Sequence, residues 1–454
     1  MHCIDTEGPL HEPVKATFDR LEYLLGIDDF KFERNENNLQ KILTGEIDLR
    51  NSSGASALSI ISPHLLTLNN SWDKIYNMFE DINSSGIRSS VLDNNNNFWK
   101  FTFHIIDFVE YKNNPRRRTI GHNAIFDEYI NISKNSFKDE IEFHFHPMNY
   151  TRDAHRSATA YDLTNNFNEI LCRRLIDRNF FPSSYRAGFQ TIRHDSNLIL
   201  EQWFPFDISN MSEENYEYLN DQNDFANGRS GDWKGAPNDW TIYSPSLTDW
   251  RKEGNMRRKI ARALNPLNRI GSLTQYEMDK AFKMAEKGKP VIVGISSHDW
   301  RDLRTEIKFC QKLINESKTK YPDVPFYFDS TRDAFRRVCG LSSNIHTPEI
   351  SLYWNNNDVP EIKIDASKCN MFMMQPYIAI KTKGGQYFRD NANLGTKDIF
   401  YYPFFFDTIE FDKVDSLGIA ITSVDGTVWT SKLTSKHIDN ISIGDKICLE
   451  VSIR

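Results

Sequence analysis

Asp5 and Glu7 stand two residues apart in the tract CIDTEG, and His144 and His146 stand two apart in EIEFHFHP. Alternate residues of a β-strand face the same side, so each tract delivers its pair to one point if it forms a strand end. Two imidazoles and one carboxylate match the three protein ligands of an open catalytic zinc site, which keeps its fourth position for water. An H-x-H pair alone is more often two hydrogen-bonded histidines. Two carboxylates at one strand tip are harder to explain by packing, because burying charge is costly. Spacing does not choose between Glu7 and Asp5 as the carboxylate ligand.

A third histidine, His298, follows the apolar run Val291–Ile295 and opens the tract HDWRDL, so it too falls at a strand's carboxyl edge. Ser296, Ser297 and Asp299 around it are good helix N-caps, which is the competing reading. Arg186, in SSYRAGFQ, precedes Ala187 and Gly188, whose small size permits close backbone approach, although an isolated arginine is more often a surface ion-pair partner. His104 and Asp107, three apart on the tract Phe98–Phe108, would face opposite sides of a strand and make no simple pair. Asp153 and His155 share a face if extended and stand as reserve ligands.

These side chains need elements to hold them. Residues 1–5 read as a short buried strand broken by Gly8-Pro9, followed by a helix over Val14–Leu25. Residues 30–97 are Asn-rich with helices at Asn37–Thr44 and Asn70–Asn83 and look like an insertion, which we extend to about residue 135. Phe98–Phe108 has strand composition, and Glu140–Phe145 is a strand stopped by Pro147. Helical patterning follows over Ala158–Arg178, then a strand near Ser184–Arg186, an apolar segment at Leu198–Phe206 and a Trp/Gly/Pro-rich loop from Asn227 to Trp250. A helix at Thr274–Lys287 leads into the parallel-strand run Pro290–Ser296, and a helix at Ser330–Cys339 closes the region. Strands alternating with helices predict an α/β class, either a (β/α) barrel or an open doubly wound sheet, with ligands at the carboxyl ends of the strands. From residue 341 to 454 short strands at Glu349–Trp354, Glu361–Ile364, Tyr377–Thr382, Gly418–Ser423 and Lys446–Ser452 predict an all-β domain. Its aromatic residues Tyr353, Trp354 and Tyr401–Phe406 read as core more than as a sugar platform.

Composition narrows the partners. With 39% hydrophobic residues there is enough material for two packed domains. A net charge of −7 with the signs interspersed gives no broad basic field, which excludes nucleic acid and an anionic membrane surface as expected partners. The six cysteines lie far apart without a C-x-x-C pair and read as free thiols. The N-terminal MHCIDTEGPL has no signal-peptide pattern and no eighteen apolar residues run together, so the expectation is a cytoplasmic protein with no membrane insertion.

Taken in order over roughly residues 1–340, the motifs resemble the polysaccharide deacetylase superfamily of the NodB-homology type, carbohydrate esterase family 4-like, and within it the O-antigen and capsule-cluster branch. The resemblance implies a distorted (β/α) barrel with a C-terminal all-β domain and one divalent metal ion, zinc by preference. It implies Asp5 as general base, Glu7, His144 and His146 as metal ligands, Arg186 orienting the catalytic carboxylate, and His298 as general acid. The chain departs from the family in having D-T-E where most members have adjacent aspartates, and histidines two apart where four is common. For the supporting Asp and Trp of the fourth motif the candidates are Asp207, Asp232-Trp233 and Asp239-Trp240; Tyr185, Asp207, Trp233 and Trp240 are the expected substrate-binding residues, with a backbone N–H near Tyr185–Ala187 for the oxyanion. The activity implied is removal of an N-acetyl group from an amino sugar, free or carrier-linked, in surface polysaccharide biosynthesis. The alternatives are an amidase acting on a small cyclic amide and a non-catalytic carbohydrate-binding protein.

Overall fold

Seven parallel strands, β1 (His2–Thr6), β2 (Thr102–Ile105), β3 (Glu140–Phe145), β4 (Ser184–Ala187), β5 (Phe206–Asn210), β6 (Lys259–Leu264) and β7 (Gly294–His298), pair in chain order and close into a barrel between β7 and β1. The computed structural model describes the whole chain except residues 28–29, 52, 61–66, 135–137, 155–159, 215–232, 268–271, 344–345, 357 and 406–407. Ten helices of the described chain accompany the barrel: α1 (Val14–Leu25), α2 (Glu36–Thr44), α3 (Ala57–Ile60), α4 (Trp72–Ser84), α5 (Ala124–Ser133), α6 (Asn166–Arg178), α7 (His194–Trp203), α8 (Gln275–Glu286), α9 (Leu303–Lys320) and α10 (Thr331–Cys339).

Strand alternation gives the barrel a floor with an apolar cluster, beside Thr102 and Glu140 that accept from Thr331 N and Arg332 N of α10, and a polar top. Cys3, Phe206, Ile208, Ala261 and Ala263 project inward and meet Phe335 of α10, whose ring stacks on Phe206 at 4.5 Å. Helix α10 can close the floor because Ser330 caps its start and the left-handed Gly340 ends it. Two residues further up, the inward residues are Asp5, His104, Arg186 and His298, all polar. Outward residues such as Phe103, Ile105, Phe143 and Phe145 pack under the surrounding helices.

The C-terminal strands β8 (Glu349–Trp354), β9 (Pro360–Asp365), β10 (Tyr377–Thr382), β11 (Tyr387–Asp390), β12 (Asn393–Leu394), β13 (Ile399–Pro403), β14 (Val414–Thr422), β15 (Val428–Thr434), β16 (Lys446–Cys448) and β17 (Val451–Ile453) form two antiparallel five-stranded sheets, ordered β11-β10-β14-β15-β17 and β12-β13-β9-β8-β16. Ile350, Ile362, Ile380, Leu417 and Trp429 lie among the residues buried between them. The first sheet docks on α6: Tyr377 donates to the Asn168 carbonyl at 3.1 Å and Lys432 to that of Ile176 at 2.7 Å. At Gly418 a Cβ would stand 2.8 Å from Leu175 Cγ, so a bare backbone is what lets the sheet approach. Of the run Tyr401–Phe406, Tyr402 and Phe404 are core, Tyr401 is half-buried, Phe405 is exposed against the core reading and Phe406 lies outside the described residues; Tyr353 and Trp354 are half-buried.

Several elements differ from the sequence reading. The apolar segment Leu198–Phe206 is the end of α7 and the start of β5, divided at Pro205, which a helix does not run through. Strand β6 carries no alternating hydrophobic signal because the core residues of its inward face, Ala261 and Ala263, are small. Strand β7 lies later than Pro290–Ser296 and takes His298 into the strand itself, and the helix beyond it is capped by Asp302, with Asp299 turned to another use. The span read as an insertion carries barrel strand β2 and helix α5 as well as α2 to α4. Within Ala158–Arg178 the helix begins at Asn166.

Candidate metal centre

Four strands, β1, β3, β4 and β7, contribute at their carboxyl ends. Glu7 lies just past β1, His144 on β3 with His146 just past it, Arg186 on β4 and His298 at the tip of β7. Glu7, His144 and His146 are buried, and one ligand atom from each lies within 4.8 Å of the others. His144 Nε2 is 3.0 Å from His146 Nε2 and 3.7 Å from Glu7 Oε1, and His146 Nε2 is 3.4 Å from the same oxygen. Four ligands placed tetrahedrally at about 2.1 Å from an ion are separated by about 3.4 Å, so this triangle has the dimensions of one face of a zinc-type site.

Tautomer and orientation also fit. His144 Nδ1 donates to the Arg186 carbonyl at 2.9 Å, which leaves its Nε2 lone pair directed at Glu7 and His146. The His146 ring is wedged between Phe108 and Phe189, at centroid distances of 5.9 and 5.2 Å, and lies on the backbone of Gly188. A Cβ at Gly188 would stand 2.0 Å from His146 Cδ2, so the glycine after the Arg186 tract makes room for the His146 ring. Beyond it Phe189 and Gln190 both have positive φ, 51° and 53°, a conformation non-glycine residues adopt at a cost. Trp233 Nε1 holds that turn by donating to the Gln190 carbonyl at 3.0 Å.

Asp5 stands beside the triangle with its carboxylate clamped by Arg186, Nε to Oδ1 at 2.6 Å and Nη2 to Oδ2 at 3.1 Å. Arg186 is itself fixed by the Ile208 carbonyl and Ser296 Oγ, each at 2.6 Å. Burial pushes the Asp5 carboxyl up, but Arg186, with His144 and His298, outweighs it and holds the group below the usual carboxylate range. His298 Nε2 faces both acids, 3.8 Å from Asp5 Oδ2 and 3.9 Å from Glu7 Oε1, and its ring packs on Trp300 at 4.7 Å. Burial also opposes the charge on Glu7, and there Arg118 prevails, 2.6 Å from Oε2. In the two histidines the balance differs: the carboxylates of Asp5 and Glu7 overcome burial to raise His144, whereas burial dominates and lowers His146.

The remaining candidates are not brought to the triangle. Tyr185 alternates with Arg186 and so faces outward, hydrogen-bonded to Tyr161 at 2.5 Å and stacked on Phe204. Asp207 is likewise outward, accepting from Ser209 N at 2.8 Å with Arg258 3.6 Å away, and burial raises its pKa. Trp240 lies against Arg262 at 4.0 Å and donates to the Glu277 carbonyl, while Asp239 turns back on Thr241. The Ala187 N–H donates to Ser209 Oγ at 2.8 Å, so it is spent on the barrel and does not serve the oxyanion. His104 points inward below Arg186, and burial, with Arg186, holds its pKa well below the usual range. Asp107 pairs with Arg174 at 3.1 Å and Asp153 with Asn113 at 2.7 Å, away from the triangle. His155 and Asp232 lie outside the described residues.

Three supporting residues escaped the sequence reading. Arg118 belongs to an arginine run that carries no strand or helix pattern. Asp299 accepts from Glu7 N at 3.0 Å, from Gly8 N at 2.8 Å and from the Tyr129 hydroxyl at 2.8 Å, and so fixes the backbone that presents Glu7. Burial pushes the Asp299 carboxyl up to about 7. Asn69 donates to the carbonyls of Asp299 and Arg301, both at 2.9 Å, tying the α3–α4 segment to the β7 tip.

The six cysteines are free thiols, and no described helix is long and apolar enough to cross a membrane. Compared with known proteins, the chain matches no family model, no curated protein and no solved structure.

Proposed function

We propose that the chain is a divalent-metal hydrolase, with zinc as the preferred ion, that removes the N-acetyl group from an amino sugar of a surface polysaccharide or its carrier-linked precursor. The observation that carries this reading is the convergence, on one barrel rim, of the Glu7–His144–His146 triangle with Asp5 and His298 beside it. The order of the tracts CIDTEG, EIEFHFHP, SYRAG and SSHDWRD, which resembles the polysaccharide deacetylase superfamily, supports the choice of substrate.

A bound ion would acidify a water molecule toward pKa ~7 and polarise an acyl carbonyl. Asp5 accepts the water's proton on Oδ2, the oxygen facing His298, while Arg186 keeps the carboxylate ionised and oriented. His298 Nε2, 3.9 Å from Glu7 Oε1, delivers a proton to the departing amine nitrogen. Trp300 packs against the His298 ring and limits its rotation. Phe108 and Phe189 cover the edges of His146 and keep bulk water off the ligand. The products are acetate and a free amine.

The test is acetate release from a panel of N-acetylated sugars, sugar nucleotides and oligosaccharides by zinc-loaded protein, with Asp5→Asn as control. Release that requires both zinc and Asp5 is the expected outcome. No release from any panel member, or release that survives Asp5→Asn unchanged, overturns the proposal.

A further inference from the structure

The loop after β2 places Lys112, Arg116, Arg117 and Arg118 within seven positions of a chain whose net charge is −7. Arg118 fixes where this loop lies, because its guanidinium is 2.6 Å from the Glu7 carboxylate. The rest is braced on three sides. His11 N donates to the Arg116 carbonyl at 3.0 Å, joining the loop to the β1 tip. Lys112 N and Asn113 N donate to the Arg152 carbonyl at 2.9 and 3.3 Å, joining it to the β3 loop. Asn114 closes the turn internally, accepting from Arg118 N at 2.7 Å and donating to the Arg118 carbonyl at 2.8 Å.

Such bracing holds cations that the site's own acids do not need. Asp5 is matched by Arg186, Glu7 by Arg118, and Glu12 stands 3.9 Å from Arg116. Lys112 and Arg117 are exposed and Arg152 half-buried, and none of the three has an ion-pair partner among the described residues. Arg118 uses one terminal nitrogen on Glu7; its Nε and its other terminal nitrogen are buried with no hydrogen-bond partner among the described residues. A buried guanidinium N–H without an acceptor is destabilising, which marks a place where an acceptor is wanted.

We propose that this rim is an anion subsite: it takes a carboxylate or phosphate of the saccharide, with Lys112 and Arg117 as outer donors, Arg152 at its edge and Arg118 innermost. The assignment rests on the deacetylase reading for the saccharide and names the substrate class as anionic. Hydrogen bonds between charged partners are about twice as strong as neutral ones, so the subsite selects among sugars that offer the same acetamide.

Calorimetric titration of the full zinc-loaded chain tests it with four probes. N-acetylglucosamine 1-phosphate is set against N-acetylglucosamine, and an N-acetylated disaccharide bearing a uronic acid against its neutral counterpart. We expect at least one anionic probe to bind about ten-fold or more tightly than its neutral partner, with the advantage shrinking as salt rises. Preference for the first pair identifies a phosphate, preference for the second a carboxylate. The double variant Lys112→Gln, Arg117→Gln should abolish the advantage while keeping zinc content and unfolding temperature. Equal affinities within both pairs, or an advantage that persists in the double variant, overturns the subsite. Binding needs no turnover, so the two readings fail separately. Anionic preference without acetate release removes the deacetylase and keeps the subsite; acetate released from neutral sugars with no anionic preference does the reverse.

Discussion

Gly188→Ala is a one-methyl test of the metal centre. The added Cβ would fall 2.0 Å from His146 Cδ2, 2.7 Å from His146 Cγ and 2.7 Å from the Phe145 carbonyl oxygen. Carbon atoms settle about 3.5–4.0 Å apart, so the imidazole would have to retreat by about 1.5 Å or more. It has little room, since Phe108 and Phe189 flank it. Metal–ligand distances tolerate about ±0.2 Å, so a displacement of that size takes His146 out of coordination. Disturbing a partner that merely orients a ligand already weakens metal affinity about 10–100-fold, and displacing the ligand itself should weaken it at least as much. The assay is zinc competition against a chromophoric chelator, with circular dichroism to establish that the barrel is intact. Wild-type zinc affinity in a folded Gly188→Ala protein would refute the placement of His146 as a ligand.

Asp5→Asn and His298→Ala should each retain a full equivalent of zinc by elemental analysis yet lose about 10²–10⁴-fold in turnover, whereas His144→Ala should lose the metal itself. Because the side chains of Glu7, His144 and His146 are buried and already gathered, stripping zinc with a chelator should lower the unfolding temperature, equivalent to about 4 kcal/mol at a thousand-fold excess of free zinc over its Kd. Phe335→Ala, which removes the ring that closes the barrel floor, should destabilise the fold by about 3–5 kcal/mol in denaturant titrations while leaving zinc stoichiometry unchanged.

The readable parts of the sequence were those where strand period and side-chain chemistry coincide. CIDTEG and EIEFHFHP announce inward pairs because the residues between them, Thr6 and Phe145, go the other way, and the structure gathers Glu7, His144 and His146 accordingly. The same rule, applied to SYRAG, separates Arg186 from Tyr185 and Asp207 from Phe206, so the outward positions of Tyr185 and Asp207 follow from strand period once the strands are known. What stayed hidden depends on contacts between distant segments. Asp299 looks like a helix cap until the closure of β7 on β1 sets it against Glu7 N, and Arg118 looks like surface charge until the β2 loop folds over the β1 tip. Strand β6 was hidden by its alanines, and the β7 boundary slipped because Val291–Val293 is apolar without being strand.

The docking of the C-terminal sheet on α6 bears on how separable the two halves are. Phe143 and Phe145, the outward neighbours of His144, pack on Phe167 of α6, and residues further along that helix pack with Tyr377, Ala379 and Ala420 of the sandwich. The strand that carries both histidines is therefore backed by a continuous apolar stack that reaches into the β domain. Grafting this barrel onto another appendage, or shortening it near residue 341, would strip the outer layer from that stack. The appendage behaves as a buttress, and swapping it would mean redesigning the helix face between.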